Sequence, residues 1–331
     1  MKIVLVSHAF SPQVGGIESV SKILAEEWAK SGHEVVVLTS TLGESEIGSY
    51  RVVRAPSFFE LWSWVKWGDL LFHNNISLRY FWPLILLRRP WGIVHHLWIR
   101  RVDGTLGWQD QLKRYLLRFA FNGANSLAIS QSLPGSVRVV GNPYDSELFQ
   151  FKGDQERKRD FLFVGRFVSD KGIHLLLEAF DTLIKRGYQS NLTLIGKGPE
   201  ESVIRLTIQR LGLEKYVFLK GELRGKELVD AFHEHRYLVV PSIWEEPFGL
   251  VAVEGIACGC FVIAAEGGGM REAAGEGAWY FLRGNCQSLR ERMESVLNEE
   301  GDREWRREKG ALHIKRFERE QIALSYLELM R

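Results

Sequence analysis

"DFLFVGRFVSDKGIHLLLEAF", residues 160–180, decides the fold. Phe161–Val164 is a continuous apolar run of strand length, as expected of a parallel strand buried on both faces. It stops at Gly165, passes through a short polar loop, and enters the amphipathic stretch "IHLLLEAFDTLIKRG". Strand, loop and helix make half of a parallel crossover unit, so the fold turns on how often the pattern recurs. Downstream it recurs four times, with strands expected at "NLTLIGKGP" (191–199), "VFLKGE" (217–222), "YLVVPS" (237–242) and "CFVIAAE" (260–266). Helical stretches separate them, which predicts a doubly wound parallel sheet.

The same pattern runs upstream. "KIVLVS" (2–7) reads as a strand followed by a glycine turn at Gly15-Gly16. Residues 17–31 then place Ile17, Val20, Leu24 and Trp28 on one helical face. Further strands are expected at "HEVVVLTS" (33–40), "YRVVRA" (50–55), "DLLFHN" (69–74), "GIVHHLW" (92–98) and "SLAIS" (126–130). The polar, turn-rich "VVGNPYDSELFQFKGDQERKRD" (139–160) reads as a linker. The expected domains are therefore 1–145 and 146–314. The last residues, 303–331, carry a helical pattern, and a helix from about 315 is expected to pack back onto the first domain. Two doubly wound α/β domains facing across a cleft would bind ligands at the carboxyl ends of their strands.

At 331 residues the chain is long enough for two cores. A net charge of +2 gives no basic excess of the kind nucleic-acid binding needs. Three cysteines, Cys258, Cys260 and Cys286, make no disulfide framework and suggest a reducing compartment. Cys258-Gly-Cys260 lacks a second ligand pair at zinc spacing and reads as small buried residues. "MKIVLVSHAF" has strand length rather than that of a signal segment, and no apolar stretch reaches the ~18 residues of a spanning helix. A cytoplasmic protein is expected.

Arg166 and Lys171 follow directly on "FLFVG", where a parallel sheet presents its ligands. Gly165 allows close backbone approach and Gly172 stands where the next helix begins, so two cations beside a helix N-terminus suit a phosphate; solvated surface charge is the plainer reading. "VVPSIWEEPFGLVAVEG" repeats the device, with Glu246 in the loop, Pro247 suited to a first helical position, and Gly249 exposing backbone N–H groups. Glu254 would stand about two turns further on, ~12 Å along the axis. So separated, the two carboxylates cannot share a proton or a metal but can reach two ends of one elongated ligand; each alone also suits capping or solvation. Glycine turns at "GKGP" (196–199) and "EGGG" (266–269) suggest phosphates and a ring held largely by backbone. His95 and His96 alternate across a strand, so only one can face a ligand, and His8 is a further candidate. No D-x-D occurs to hold a nucleotide through a divalent ion. Residues 58–118 hold seven of the 11 tryptophans and nine Lys and Arg against four Asp and Glu, which suits a membrane interface or an amphipathic acceptor as well as a Trp-rich core.

With these residues in place the chain resembles the family 4 glycosyltransferases, retaining enzymes of GT-B fold with two Rossmann-like domains. The resemblance runs nearly end to end, through "GGIE" (15–18), "SGHEVVVLT", "GDLLFHN", "FVGRFVSDKGIHLLLEAF", "LIGKGPE" and "GGGMRE". Its specific signal is Glu246 and Glu254 within "EPFGLVAVEG". The resemblance implies that Arg166 and Lys171 bind the donor diphosphate and that Glu254 bonds the ribose. Glu246 would contact the transferred sugar, and the N–H groups near Phe248, Gly249 and Leu250 would hold phosphate. Gly16 and Gly165 would let the backbone close on the donor, and His96, or else His95, would stand beside the sugar. It further implies a UDP-, GDP- or ADP-sugar donor, no cofactor and no metal. The acceptor would be a saccharide or lipid-linked saccharide met at the inner membrane face, in surface polysaccharide synthesis. The alternatives are a GT-B sugar-nucleotide epimerase, a phosphorylase, or a non-catalytic nucleotide-sugar-binding module; a nicotinamide dehydrogenase lacks its glycine fingerprint.

Overall fold

The computed structural model describes residues 1–13, 15–43, 47–101, 104–153, 156–298 and 302–330. Residues 154 and 155 of the expected linker, and residue 331 at the end of the expected terminal helix, lie outside the described residues. Two compact units make up the chain, Met1–Asp145 with Arg316–Arg331, and Ser146–Lys315.

The first unit runs β1 (Lys2–Ser7), α1 (Gly16–Lys30), β2 (Glu34–Thr39), β3 (Arg51–Arg54), α2 (Phe58–Trp67) and β4 (Leu70–Asn74). It continues with α3 (Trp82–Leu87), β5 (Trp91–His95), α4 (Trp108–Leu116), β6 (Phe121–Ala124), α5 (Leu127–Ser132) and β7 (Arg138–Val139). All strands are parallel, in the order β3-β2-β1-β4-β5-β6-β7, with Val4 opposite both Val36 and Leu71. Strand alternation splits the core. Val4, Val6, Leu38 and Ile93 meet Leu61 of α2, Leu84 of α3 and Leu116 of α4 on one face. On the other, Trp28 of α1 lies 5.2 Å from Phe72, ring to ring.

The stretch expected as a strand at 126–130 is instead the start of α5. Ser126 caps it, its Oγ accepting from the Ile129 N–H at 3.3 Å, and the strand lies just before it at Phe121–Ala124.

The second unit runs β8 (Arg159–Val164), α6 (Ile173–Lys185), β9 (Leu192–Ile195), α7 (Glu201–Leu211), β10 (Val217–Gly221), α8 (Gly225–Glu234) and β11 (His235–Val240). Then follow α9 (Leu250–Ala257), β12 (Phe261–Ala265), α10 (Met270–Ala274), β13 (Ala278–Phe281), α11 (Cys286–Asn298) and α12 (Arg303–Ile314). Its strand order is β10-β9-β8-β11-β12-β13, again all parallel. Phe161 stands opposite Leu192 and Tyr237 in the middle of the sheet, which is why this strand reads as unbroken apolar sequence.

The terminal helical pattern is broken in two. A 3-10 turn at Lys315–Phe317 separates α12 from α13 (Arg319–Glu328), and α13 belongs to the first unit. There the Trp28 Nε1–H donates to the Ala323 carbonyl at 3.0 Å, while Arg319 is buried against Glu26, Glu27 and Asp145.

Candidate functional site

In the second unit the chain builds β8, β9 and β10 outward in one direction, then returns to lay β11 on the other side of β8. The loops leaving β8 and β11 therefore diverge, and the space outside their carboxyl ends is the sheet's switch point. Arg166 and Lys171 come from the first loop; Ser242, Glu246 and Gly249 come from the second.

The loops are tied by backbone. The Asp170 carbonyl accepts from the N–H groups of Ile243 at 3.0 Å and Trp244 at 3.3 Å. Gly172 passes so close that a Cβ there would lie 2.0 Å from the Pro241 carbonyl oxygen. A third loop closes on the second, with the Gly269 N–H donating to the Glu246 carbonyl at 2.8 Å. Beside it, a Cβ on Gly268 would sit 2.1 Å from the same oxygen.

This fixes two candidate side chains against each other. Lys171 Nζ donates to Glu246 Oε1 at 2.5 Å, and the Ser242 hydroxyl donates to the same oxygen at 2.6 Å. Lys171 remains about a quarter exposed and Glu246 15% exposed, so the pair faces solvent at one side. Arg166 is exposed, and among the described residues its side chain has no partner. The edge thus carries one compensated cation, one uncompensated cation and the positive ends of α6 and α9. That arrangement attracts a polyanion.

The structure corrects one expectation here. α9 begins at Leu250, because Gly249 caps it with φ +114°. Pro247 therefore lies in the loop, and Glu246 is not two turns from Glu254 on one helix; Glu254 is half-buried in the second turn of α9. Phe248 is buried at 2% exposure, so only its backbone is available to a ligand. The glycine turns also serve packing first. A Cβ on Gly196 would lie 1.9 Å from the Gly165 carbonyl oxygen, so at this contact loop meets loop with no room for a side chain.

In the first unit Gly16 opens α1 at the surface, and His8 is exposed just beyond β1. His95 and His96 are both buried. Nε2 of His95 lies 3.4 Å from Asn122 Oδ1, and burial pushes its ring down to about 4. The His96 ring stands between Asn142 Oδ1, 2.9 Å from Nδ1, and the Tyr326 hydroxyl, 3.4 Å from Nε2. Burial lowers His96 to about 3, so it is neutral at physiological pH. Neither ring faces solvent. Tyr326 comes from α13, and nothing in the sequence signals that contact.

Cys258 and Cys260 are buried free thiols raised by burial, Cys260 to about 11. Arg157 holds this turn, donating to the carbonyls of Cys258 at 2.7 Å and His235 at 2.6 Å. Among the described residues no group of three or more His, Cys, Asp or Glu is placed to hold a metal ion.

Residues 145–313, nearly the whole second unit and all of the β8–β11 edge, match the family model for glycosyl transferases group 1. The chain belongs to that family. It is 27% identical to an uncharacterized glycosyltransferase, MJ1607, of Methanocaldococcus jannaschii, over 92% of this chain and 91% of the relative. It is 24% identical to the phosphatidylinositol N-acetylglucosaminyltransferase gpi3 subunit of Schizosaccharomyces pombe, over 89% and 72% of the two chains. The crystal structure of Anabaena Alr3699/HepE in complex with UDP and glucose superposes with a TM-score of 0.81 at 20% identity, covering 99% of this chain and 98% of that one. The chain shares with that structure the GT-B fold, two parallel-sheet Rossmann-like units in one chain. As a group 1 glycosyl transferase, the chain brings Arg166, Lys171, Glu246 and Gly249 to one strand edge from segments up to 83 residues apart.

Proposed function

We propose that this group 1 glycosyl transferase moves a sugar, with retention of anomeric configuration, from a nucleoside-diphosphate sugar to a saccharide or lipid-linked saccharide acceptor. The observation that carries the proposal is the Lys171–Glu246 pair on the same strand edge as Arg166, which has no partner among the described residues, at the start of two helices. A diphosphate entering there meets Arg166 first and then competes with Glu246 for Lys171. As the sugar–phosphate bond breaks, negative charge grows on the diphosphate, and the two cations and the first N–H groups of α9 stabilise it without reorganising. Glu246, released from Lys171, stands free to bond the sugar, and Glu254 takes the ribose. Attack from the face of the leaving group lets a phosphate oxygen receive the acceptor's proton, so that no metal is required. The complex of Alr3699/HepE with UDP and glucose supports a UDP-sugar as the first donor to test. Three free cysteines support a cytoplasmic setting, and a role in surface polysaccharide assembly is part of this proposal.

The test incubates the protein with UDP-, GDP- and ADP-sugars and simple saccharide acceptors and follows the anomeric proton by NMR. Retention of configuration in the glycoside supports the proposal. A free epimeric sugar with no glycoside would favour the epimerase reading, and an inverted product would overturn the front-face mechanism.

A further inference from the structure

Among the described residues the Glu246 carboxylate is held through one of its two oxygens. Lys171 Nζ at 2.5 Å and the Ser242 hydroxyl at 2.6 Å both donate to Oε1. Oε2 takes no hydrogen bond from any described residue and is not enclosed, so it is the oxygen open to a ligand. The two donors are unlike. Lys171 is a long, flexible cation, about a quarter exposed, and a phosphate can draw it away. Ser242 is 2% exposed, turns about a single side-chain bond, and carries no charge to exchange for a phosphate.

The main chain around Ser242 does not depend on its hydroxyl. The N–H groups of Ile243 and Trp244 are taken by the Asp170 carbonyl at 3.0 and 3.3 Å, and the Glu246 carbonyl accepts from the Gly269 N–H at 2.8 Å. The loop is therefore tied by backbone on both sides of the carboxylate. Among the described residues the Ser242 side chain bonds the Glu246 carboxylate alone. At 2.6 Å this is a short, charge-assisted hydrogen bond, of the stronger kind.

From this geometry we infer that Ser242 is a positioning residue for the transferred sugar. When a diphosphate draws Lys171 away, Ser242 keeps its hold on Oε1, and Oε2 meets a sugar hydroxyl in a fixed orientation. Glu246 is thus released from its cation without losing its place. The inference rests on the donor site proposed for this edge, and adds to it a residue that acts on the sugar through Glu246 and leaves the diphosphate to Arg166 and Lys171.

The experiment is titration calorimetry of UDP against UDP-glucose, ADP against ADP-glucose, and GDP against GDP-mannose, on the full chain and on Ser242→Ala and Ser242→Thr. For the pair that binds, Ser242→Ala should hold the diphosphate within about threefold of the parent and the sugar nucleotide about tenfold or more weakly, as loss of a charged hydrogen bond requires. Ser242→Thr keeps a hydroxyl and should recover most of the sugar nucleotide's affinity. The thermal transition of Ser242→Ala should match the parent, since the main-chain ties remain. A hydroxyl that merely shaped the loop would weaken diphosphate and sugar nucleotide alike. That result overturns the inference and leaves the donor site in place, as does parent affinity for both ligands in Ser242→Ala, or a Ser242→Thr protein that unfolds like the parent yet binds like Ser242→Ala. Binding of no diphosphate by the parent overturns the donor site itself, and the inference with it.

Discussion

Gly268→Ala tests the loop packing that holds Glu246. Gly268 has φ +57°, and a Cβ there would lie 2.1 Å from the Glu246 carbonyl oxygen and 3.0 Å from its carbon. A left-handed backbone costs an L-residue about 1–2 kcal/mol. The clash is with backbone, which cannot swing aside, and over-packing of this kind adds about 1–3 kcal/mol. Gly284 supplies the control, since its φ is +73° but no heavy atom lies within 4 Å of a Cβ built there. Gly284→Ala should lose the conformational cost alone. The difference, about 1–3 kcal/mol, corresponds to a transition about 2–12 °C lower for Gly268→Ala in a unit of this size. Thermal unfolding by calorimetry measures both variants, with the two units free to unfold separately. Gly268→Ala should also weaken nucleotide binding, because Glu246 and its partner Lys171 must shift. Equal losses in the two variants, or a Gly268→Ala protein with the parent transition and affinity, would show that the contact with the Glu246 carbonyl does not hold the loop.

Three further outcomes follow from the same structure. Burial lowers His73 and His96 to about 3 and His95 and His235 to about 4, against 6.5 for the ordinary group. The folded state then binds fewer protons than the unfolded one, so stability is fully present above pH 6.5 and is lost as pH falls toward those values. Each ring contributes up to about 1.4 kcal/mol per pH unit, so urea midpoints should fall steeply in acid and less steeply in His73→Leu. Arg319→Met leaves Glu26, Glu27 and Asp145 without their shared cation and should cost the first unit about 3–5 kcal/mol in denaturant unfolding, partly recovered by adding Glu27→Gln. Lys171→Ala should weaken nucleoside-diphosphate binding by about 10–100-fold, the worth of a charged hydrogen bond, with Lys171→Arg recovering part of it in titration calorimetry.

The sheets were legible where their strands are buried on both faces. β1, β2, β8, β11 and β12 all read as unbroken apolar runs because both of their faces meet helices. β6 was not legible. Its sequence, Phe121-Asn-Gly-Ala124, has no β-branched residue, and Asn122 turns its side chain to the carbonyls of Leu117 and Ala120. The apolar "SLAIS" beside it drew the strand assignment, although Ser126 at its head is a helix cap. β13, Ala278–Phe281, is not legible either, a four-residue strand following Gly275 and Gly277. In the site, Arg166, Lys171 and Glu246 stood out from their strand-end positions. The Lys171–Glu246 pair did not, because the residues are 75 apart in sequence and meet only through the adjacency of β8 and β11. The start of α9 was misplaced for a local reason, Gly249 at positive φ rather than Pro247 setting the first turn.

In the proposed reaction the carboxyl edge of β8 and β11 binds the diphosphate of a nucleotide sugar. Titration calorimetry of UDP, GDP and ADP into the full chain and into Arg166→Ala tests it directly. Arg166 is exposed and unpartnered among the described residues, so its removal should leave the thermal transition unchanged. At least one nucleoside diphosphate should bind, and Arg166→Ala should weaken it about tenfold or more, as loss of a charged contact should. Binding of none of the three, or equal binding by the variant, would contradict it.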